Sequence, residues 1–416
     1  MEKRARKAGL AAGVLMFLSV VGPGIITGSV DNDAGGITTY SVAGATYGYD
    51  ILWTLLPALV ILVVIQEMNA RMGIVTGKGL ADLIRENAGV KITFLIFVGL
   101  ILADIGNTTT EFAGVAGSMQ ALGVSKYVSV PVAAVAVWIL VVKGTYKSAE
   151  RIFLVFSFFL LSYVASAILA EPDWGAIGHS LVHPDPRFDF PYLVMVIGII
   201  GTTIAPWMQF YMQSSVIEKG LKIENYRYTV WDVAIGACVT VVVAFFIIVA
   251  CASTLHAKGV RIEEAKDAAV ALGPLAGRAA SAIFAAGLLV ASIFSATILP
   301  LATAFYVCEA FGFEAGIDKS WKDAPQFYWL FTAIVAVSAG IILLPRAPLI
   351  EITIWSQVIN GVLLPVVLIS MLVIVNKREV MGDRVNGLLG NVVGWTTAVV
   401  LMGMNLLFLG MSFAGR

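Results

Sequence analysis

The sequence predicts an all-α polytopic membrane protein of about eleven spanning helices, two of them broken in the middle. Three observations predict it. Hydrophobic residues are 59% of the 416 and charged residues 13%, against roughly 25% charge in an average soluble domain, and mean hydropathy is +0.90. Apolar runs recur at the length that crosses a bilayer, about 17–25 residues. Two of those runs are interrupted: one by Gly28-Ser29-Val30-Asp31-Asn32-Asp33-Ala34-Gly35-Gly36, the other by Gly201-Thr202-Thr203-Ile204-Ala205-Pro206-Trp207-Met208-Gln209.

The spans fall at about 14–45 (broken), 51–72, 92–121, 128–143, 152–170, 191–217 (broken), 229–254, 279–308, 327–344, 352–375 and 390–412. The broken spans are the first and the sixth, and a spacing of five places them in opposite orientations. That is the pattern of a 5+5 inverted repeat, with repeat one at about 14–170, repeat two at about 191–375 and an extra helix at about 390–412. Connections are short, so residues 1–416 form a single transmembrane domain. Lys3, Arg4, Arg6 and Lys7 precede an apolar run that continues into the Asp33 segment, which reads as an uncleaved first span. A cytoplasmic N-terminus puts Arg71/Lys78/Arg85, Lys143/Lys147/Arg151, Lys219/Lys222/Arg227, Lys319/Lys322 and Lys377/Arg378/Arg384 inside. The outer loops are poorer, with Lys126, Arg187, Arg346 and the mixed-charge Lys258/Arg261/Lys266 stretch. The C-terminus then lies outside.

Breaks in a spanning helix free amides and carbonyls that lipid cannot satisfy, so they persist only against protein or a polar cavity. Interrupted helices at corresponding places in two halves mark a transporter's midplane binding site. A carboxylate there costs at least a few kcal/mol. Asp33, flanked by Gly35 and Gly36, is the first candidate ligand, and the bound species is a cation. Asp31 and Asn32 either join it or pair with neighbouring groups. In the sixth span Pro206 cannot donate a backbone hydrogen bond, which frees carbonyls near Thr202 and Thr203. Trp207 and Met208 read as packing. Gln209 and Gln213, one turn apart, face either the cavity or a neighbouring helix.

In span three Asp104, Thr108 and Glu111 form one polar face with Asn107 beside them, lining the pathway or pairing with a neighbour. Ser356, Gln357 and Asn360 form an uncharged patch in span ten. Glu67 and Arg71 read as an interfacial i,i+4 pair. His179, His183 and His256 fall in outer loops, leaving no histidine in a span. Cys238, Cys251 and Cys308 lack metal-ligand spacing and read as core residues. No Walker loop, metalloprotease histidine pair, nucleophile elbow or dinucleotide fingerprint occurs, which excludes the common enzyme classes and leaves no cofactor implied. No basic arm for nucleic acid is present. A channel would need a continuous pore, which two midplane breaks do not suggest.

Several stretches resemble the Nramp family of divalent-metal transporters, which share the LeuT fold. They are Gly22-Pro23-Gly24, the run Val42 to Tyr49, the run Gly73 to Ala81, Ser214-Ser215, Ser295-Ala296-Thr297-Ile298, Ser356-Gln357-Val358 and Leu364-Pro365. The resemblance runs from about Gly22 to Met411. It implies a LeuT-like secondary transporter with the divalent ion as its partner, acting as a monomer in a bacterial inner membrane.

The departures from the family pattern are as informative. The family's Asp-Pro-Gly-Asn becomes Asp33-Ala34-Gly35-Gly36, and its Met-Pro-His becomes Ala205-Pro206-Trp207. In span three, the family's Asp and Glu three residues apart become Thr108 and Glu111. A basic pair in span nine is lost among the apolar residues of Phe327–Ile342. A thioether favours soft metals, whereas magnesium keeps several waters and takes a few oxygens. Asp33, carbonyls near Val30 and Thr202, the small Ala205 and Gln357 therefore suit a partly hydrated Mg2+, with Mn2+ tolerated. That set resembles the Nramp-related magnesium transporters, a branch described as lacking proton coupling. The expected alternative is a proton-coupled Mn2+ or Fe2+ importer using Glu111 and Asp104. An amino-acid transporter of this fold would set Asp31 and Asp33 against its substrate's carboxylate.

Overall fold

The computed structural model describes residues 22–143, 163–263, 265–268, 280–316 and 319–413. Among them every regular element is helical. The first expected span is two half-helices, α1 (Pro23–Val30) and α2 (Ala34–Tyr47), and a 3₁₀ segment, Gly48–Thr54, leads into α3 (Leu55–Thr76). Then come α4 (Leu80–Ala121), α5 (Lys126–Lys143) and a short loop helix, α6 (Trp174–Val182). The second broken span is α7 (Phe190–Thr203) and α8 (Pro206–Glu218). It is followed by α9 (Tyr226–Thr254), α10 (Ala280–Phe311), α11 (Pro325–Leu343), α12 (Leu349–Val375) and α13 (Leu388–Phe413).

Nine described runs are long and apolar enough to cross a membrane. One of them, Ala34–Thr76, carries the second half of the first expected span together with the whole second span. Most of the fifth expected span, the N-terminal basic cluster and Lys147/Arg151 lie outside the described residues. The third span starts at the expected place because α4 kinks at Gly89, where φ is 78° and ψ 164°. A side chain would be strained there, and glycine is not.

Two groups of helices form the body. Helix α9 packs on α1, α2 and α3, and α8 packs on α3. Helix α4 is the centre of the other group, touching α5, α10, α11 and α12. Helix α13 lies outside, on α12 and α3. The two ends of the molecule are named here by Gly22, where the described chain begins, and by Tyr47, where α2 ends. At the Tyr47 side Lys126 Nζ donates to the carbonyls of Ile342 (2.9 Å) and Leu344 (2.8 Å), completing the end of α11. Glu67 and Arg71 prove to be more than an interfacial pair. Arg71 also donates to the Arg384 carbonyl at 2.6 Å, and Tyr226 donates to Glu67. Cys251 and Cys308 are buried, but Cys238 is exposed on α9, so the reading of all three as core residues is corrected. Its place on the helix turns it away from α1.

Helix α1 is held against α9 by close backbone approach and by one carboxylate. A Cβ on Gly28 would stand 2.7 Å from the Gly236 carbonyl oxygen, and one on Gly24 2.7 Å from that of Asp232. Small residues let membrane helices approach in this way. Asp232 accepts hydrogen bonds from the amides of Gly22 (3.2 Å), Gly24 (2.6 Å) and Ile25 (3.4 Å), which have no partner inside the helix. Thr240 Oγ1 donates to the Gly28 carbonyl at 2.8 Å. Gly28→Val should therefore push α1 from α9 and lower stability by on the order of 1–3 kcal/mol. The measurement is the thermal unfolding midpoint in detergent, and an unchanged midpoint would show that the close approach carries no weight.

Candidate cation site

At the first break the chain leaves α1 at Val30 and restarts at Ala34. Asp33 is the N-cap of α2, with Oδ1 accepting from the Gly36 amide at 2.7 Å. A carboxylate at this position also meets the positive end of the helix dipole. Asn32 Nδ2 donates back to the Gly28 carbonyl at 3.3 Å. The Ala34 amide donates to Glu111 Oε2 at 3.3 Å. Glu111 of α4 thus reaches the start of α2, and its carboxyl lies beside that of Asp33.

At the second break Ala205 is the N-cap residue of α8, in extended conformation, and Pro206 follows. Proline offers no N–H to the carbonyl four residues earlier, that of Thr202. Gln209 Nε2 donates to the Ala205 carbonyl at 3.2 Å, and Asn69 Nδ2 of α3 donates to Gln209 Oε1 at 2.5 Å. Of the two readings of Gln209, helix–helix bonding is the one observed. Gln213 Nε2 donates to the Lys78 carbonyl at 2.7 Å.

The two breaks meet. A Cβ on Gly36 would fall 2.6 Å from the Asp31 carbonyl oxygen and 3.5 Å from Thr202 Oγ1. Tyr40 of α2 and Thr203 of α7 share a hydroxyl–hydroxyl hydrogen bond of 2.8 Å. A side chain at position 36, where the resembled family has asparagine, would have to displace the Asp31 carbonyl. The C-terminal ends of α1 and α7 thus point their carbonyls, the negative ends of two helix dipoles, at one region. Asp31, Asn32, Asp33, Thr202, Glu111 and Gln357 are all buried. Among the described residues, Asp31 Oδ2, Asn32 Oδ1 and Glu111 Oε1 have no hydrogen-bond donor. Buried oxygens without a donor, next to carboxylates in an apolar interior, favour a cation.

The remaining predicted residues divide. Gln357 presents Nε2 to Gly35 and gives Oε1 to Asn360 Nδ2 at 3.0 Å, so its oxygen is engaged away from the break. Asn360 Nδ2 also donates to Asn107 Oδ1 at 2.8 Å, and Ser356 Oγ to the same oxygen at 3.0 Å. Asp104 does not share the surroundings of Glu111. It accepts from Asn107 Nδ2 (3.0 Å), Thr303 Oγ1 (2.8 Å) and the Tyr306 hydroxyl, which ties α4 to α10. Thr108 is buried with no partner for Oγ1. Val30, Ala205 and Trp207 belong to one apolar cluster with Met208, Phe294 and Ile298. The Trp207 ring lies 6.0 Å from that of Tyr211. Among the described residues no three His, Cys, Asp or Glu side chains are placed to hold a metal ion. An ion here would also use carbonyl or amide oxygens or water.

Sequence reasoning missed Asp232 and Glu309. Asp232 sits in the second turn of α9, where an acid reads as interfacial; the uncapped Gly22-Pro23-Gly24 was the available signal. Glu309 Oε1 accepts from Ser214 Oγ of α8 at 2.8 Å, and Arg85 donates to the Ala310 carbonyl at 3.1 Å. With the Phe97, Phe210 and Tyr306 rings, 4.9–5.4 Å apart, these contacts fill the space between the breaks and the Gly22 side. Toward the Tyr47 side there is instead a cavity of about 550 Å3, lined among others by Thr38, Gly114, Gly117, Leu288 and Thr353. Gly114 touches Ala34, as a Cβ there would stand 2.6 Å from the Ala34 methyl. The cavity thus reaches down to the start of α2.

Comparison with known proteins agrees with this architecture. The chain is 26% identical over 400 residues to the divalent metal cation transporter MntH of Yersinia pestis (strain Pestoides F), covering 93% of this chain and 94% of that one. It is 28% identical over 410 residues to MntH of Deinococcus radiodurans, covering 94% and 90%. The crystal structure of the Eremococcus coleocola manganese transporter superposes with a TM-score of 0.75 at 22% identity, covering 95% of this chain and 86% of that one. Mhp1, a nucleobase-cation-symport-1 family transporter, superposes with a TM-score of 0.59 at 13% identity, covering 94% and 89%. These are likenesses of fold, and they agree with the expected LeuT-like architecture. The model of the natural resistance-associated macrophage protein-like family matches residues 24–410, and the chain belongs to that family, Nramp.

Proposed function

We propose that the chain imports divalent metal cations by alternating access, prefers Mg2+, tolerates Mn2+ and moves no protons with them. The observation that carries this reading is the set of donor-less buried oxygens on Asp31, Asn32 and Glu111, grouped with Asp33 where two helix C-termini meet. Relatives named as divalent metal cation transporters support the cargo class. Preference for Mg2+ rests on the oxygen donors at the first break and on Ala205 and Trp207, where the resembled family has methionine and histidine. Soft ligands select transition metals, and Mg2+ retains much of its water.

In this reading the Tyr47 side faces out of a bacterial inner membrane and the Gly22 side faces the cytoplasm. The helices α1, α2, α3, α8 and α9 rock against the α4 group, and the five-span repeats at about 14–170 and 191–375 supply the moving parts. Membrane potential contributes roughly 2.3 kcal/mol per charge per 100 mV toward entry. The alternative, a proton-coupled Mn2+ or Fe2+ importer using Glu111 and Asp104, would rest on the Glu111 carboxyl that lies beside that of Asp33.

Asp33→Asn removes the charge but keeps an oxygen able to accept from the Gly36 amide. It should abolish divalent uptake into proteoliposomes while the protein stays folded; near-normal uptake would remove Asp33 from the site. Liposomes loaded with a pH dye should report no metal-dependent acidification at any imposed potential. A signal that scales with uptake would establish the proton-coupled alternative, and its loss in Glu111→Gln would name the proton carrier. Ala205→Met adds one sulfur and displaces water, so it should tighten Cd2+ binding and weaken Mg2+ transport together. Competition between the two ions measures this, and an unchanged ratio would show that position 205 does not face the ion.

A further inference from the structure

The loop helix α6 lies apart from the breaks, on the Tyr47 side, packed on the 3₁₀ segment Gly48–Thr54 that joins α2 to α3. Its sequence builds it simply. Asp173 is the N-cap, with Oδ1 accepting from the amides of Gly175 (2.9 Å) and Ala176 (3.0 Å). Ile177 is its buried contact residue. Arg187 and Asp50 form an ion pair of 2.6 Å that fastens the following loop to the same 3₁₀ segment. His179 stands in the last turn of this short helix and His183 is its C-cap residue, four positions on, and both are exposed.

Their geometry is specific. The rings are 4.4 Å apart between centroids and inclined by 13°. His183 closes the helix with its amide on the His179 carbonyl at 2.9 Å, and its Nδ1 lies 3.3 Å from the same oxygen. A carbonyl oxygen accepts only, so Nδ1 carries the proton and Nε2 keeps a free lone pair. Metal-binding histidines are oriented in this way, one ring nitrogen donating to a carbonyl while the other faces the ion. Parallel rings cannot both aim a lone pair at one ion. His179 is exposed and its second side-chain torsion is broad, so its ring is free to turn toward the Nε2 of His183.

We propose that His179 and His183 form a second metal site, separate from the breaks, that captures late transition-metal ions of the zinc, nickel and copper class. One histidine in the last turn and one at the C-cap, four positions apart with neighbouring rings, have the spacing of a chelating pair for such ions. Imidazole suits Zn2+, Cu2+ and Ni2+, whereas oxygen ligands suit Mg2+. The site is therefore opposite in chemistry to the oxygen-lined breaks, and it stands on the side of the molecule that carries the 550 Å3 cavity. Two protein ligands leave the other coordination positions to water, so capture is reversible. Ions of this class are held at the surface, while hard ions pass without being bound.

The test uses tag-free full-length protein in detergent, titrated calorimetrically with Zn2+, Ni2+ and Mg2+. Wild type should bind one more Zn2+ and one more Ni2+ per chain than the double variant His179→Ala/His183→Ala, and Mg2+ titrations of the two should coincide. Equal Zn2+ and Ni2+ stoichiometry in both proteins would overturn the proposal. Paramagnetic resonance of added Cu2+ gives an independent reading: coupling to two imidazole nitrogens in wild type and to one in either single variant. Spectra that do not change across the variants would likewise overturn it. Neither measurement depends on transport, so a failure here leaves the reading of the breaks standing, and the reverse holds as well.

Discussion

A backbone interrupted inside a membrane has to find partners within the protein, because hydrocarbon supplies none. That constraint explains most of what surrounds the two breaks. Asp33 answers the Gly36 amide, Glu111 answers that of Ala34, and Asn32 and Thr240 answer the Gly28 carbonyl. Gln209 answers the Ala205 carbonyl and is itself held by Asn69. Among the described residues, Asp31, Asn32 and Glu111 each keep an acceptor oxygen without a donor. Those three oxygens, beside the Asp33 carboxyl, would repel an anion and attract positive charge.

The same constraint acts at the far end of α1. Its first amides point into Asp232, and glycines at 24, 28 and 236 let the two backbones touch. Helix α1 and α9 are consequently joined by hydrogen bonds and by close backbone contact. Helix α8 differs, because its last turns reach to the Lys78 carbonyl and to Glu309 on α10. One broken helix is fastened within its own group, and the other is fastened across the divide.

Breaks, spans and chemistry were legible to different degrees. Proline, glycine and carboxylate in an apolar run are local signals, and both interruptions fall where those residues stand, at Asp31–Asp33 and at Ala205–Pro206. Hydropathy placed α3, α5, α9 and α11 within a few residues for the same reason. Neighbours are not local. Asp104 and Glu111 share a helix face, yet one meets Tyr306 and the other meets Ala34, since α4 passes α10 and the first break at different heights. Gln209 and Gln357 carry the same functional group, and sequence could not say that both spend an oxygen on asparagine. Asp232 was overlooked because the need it meets lies some two hundred residues earlier, in three glycine-and-proline-bounded amides.

Two hydrogen bonds hold the end of α8 on the Gly22 side: Gln213 to the Lys78 carbonyl, in the loop that joins α3 to α4, and Ser214 to Glu309, across the divide on α10. A neutral bond contributes about 0.5–1.5 kcal/mol and one to a charged group about 1.5–3. Opening the Gly22 side would have to break both, at a cost of about 1–3 kcal/mol before water or new partners replace them. In the proposed alternating-access reading, a bound ion offsets that cost only as far as it binds the open arrangement more tightly. A cation that binds both arrangements equally well leaves the balance between them where it was.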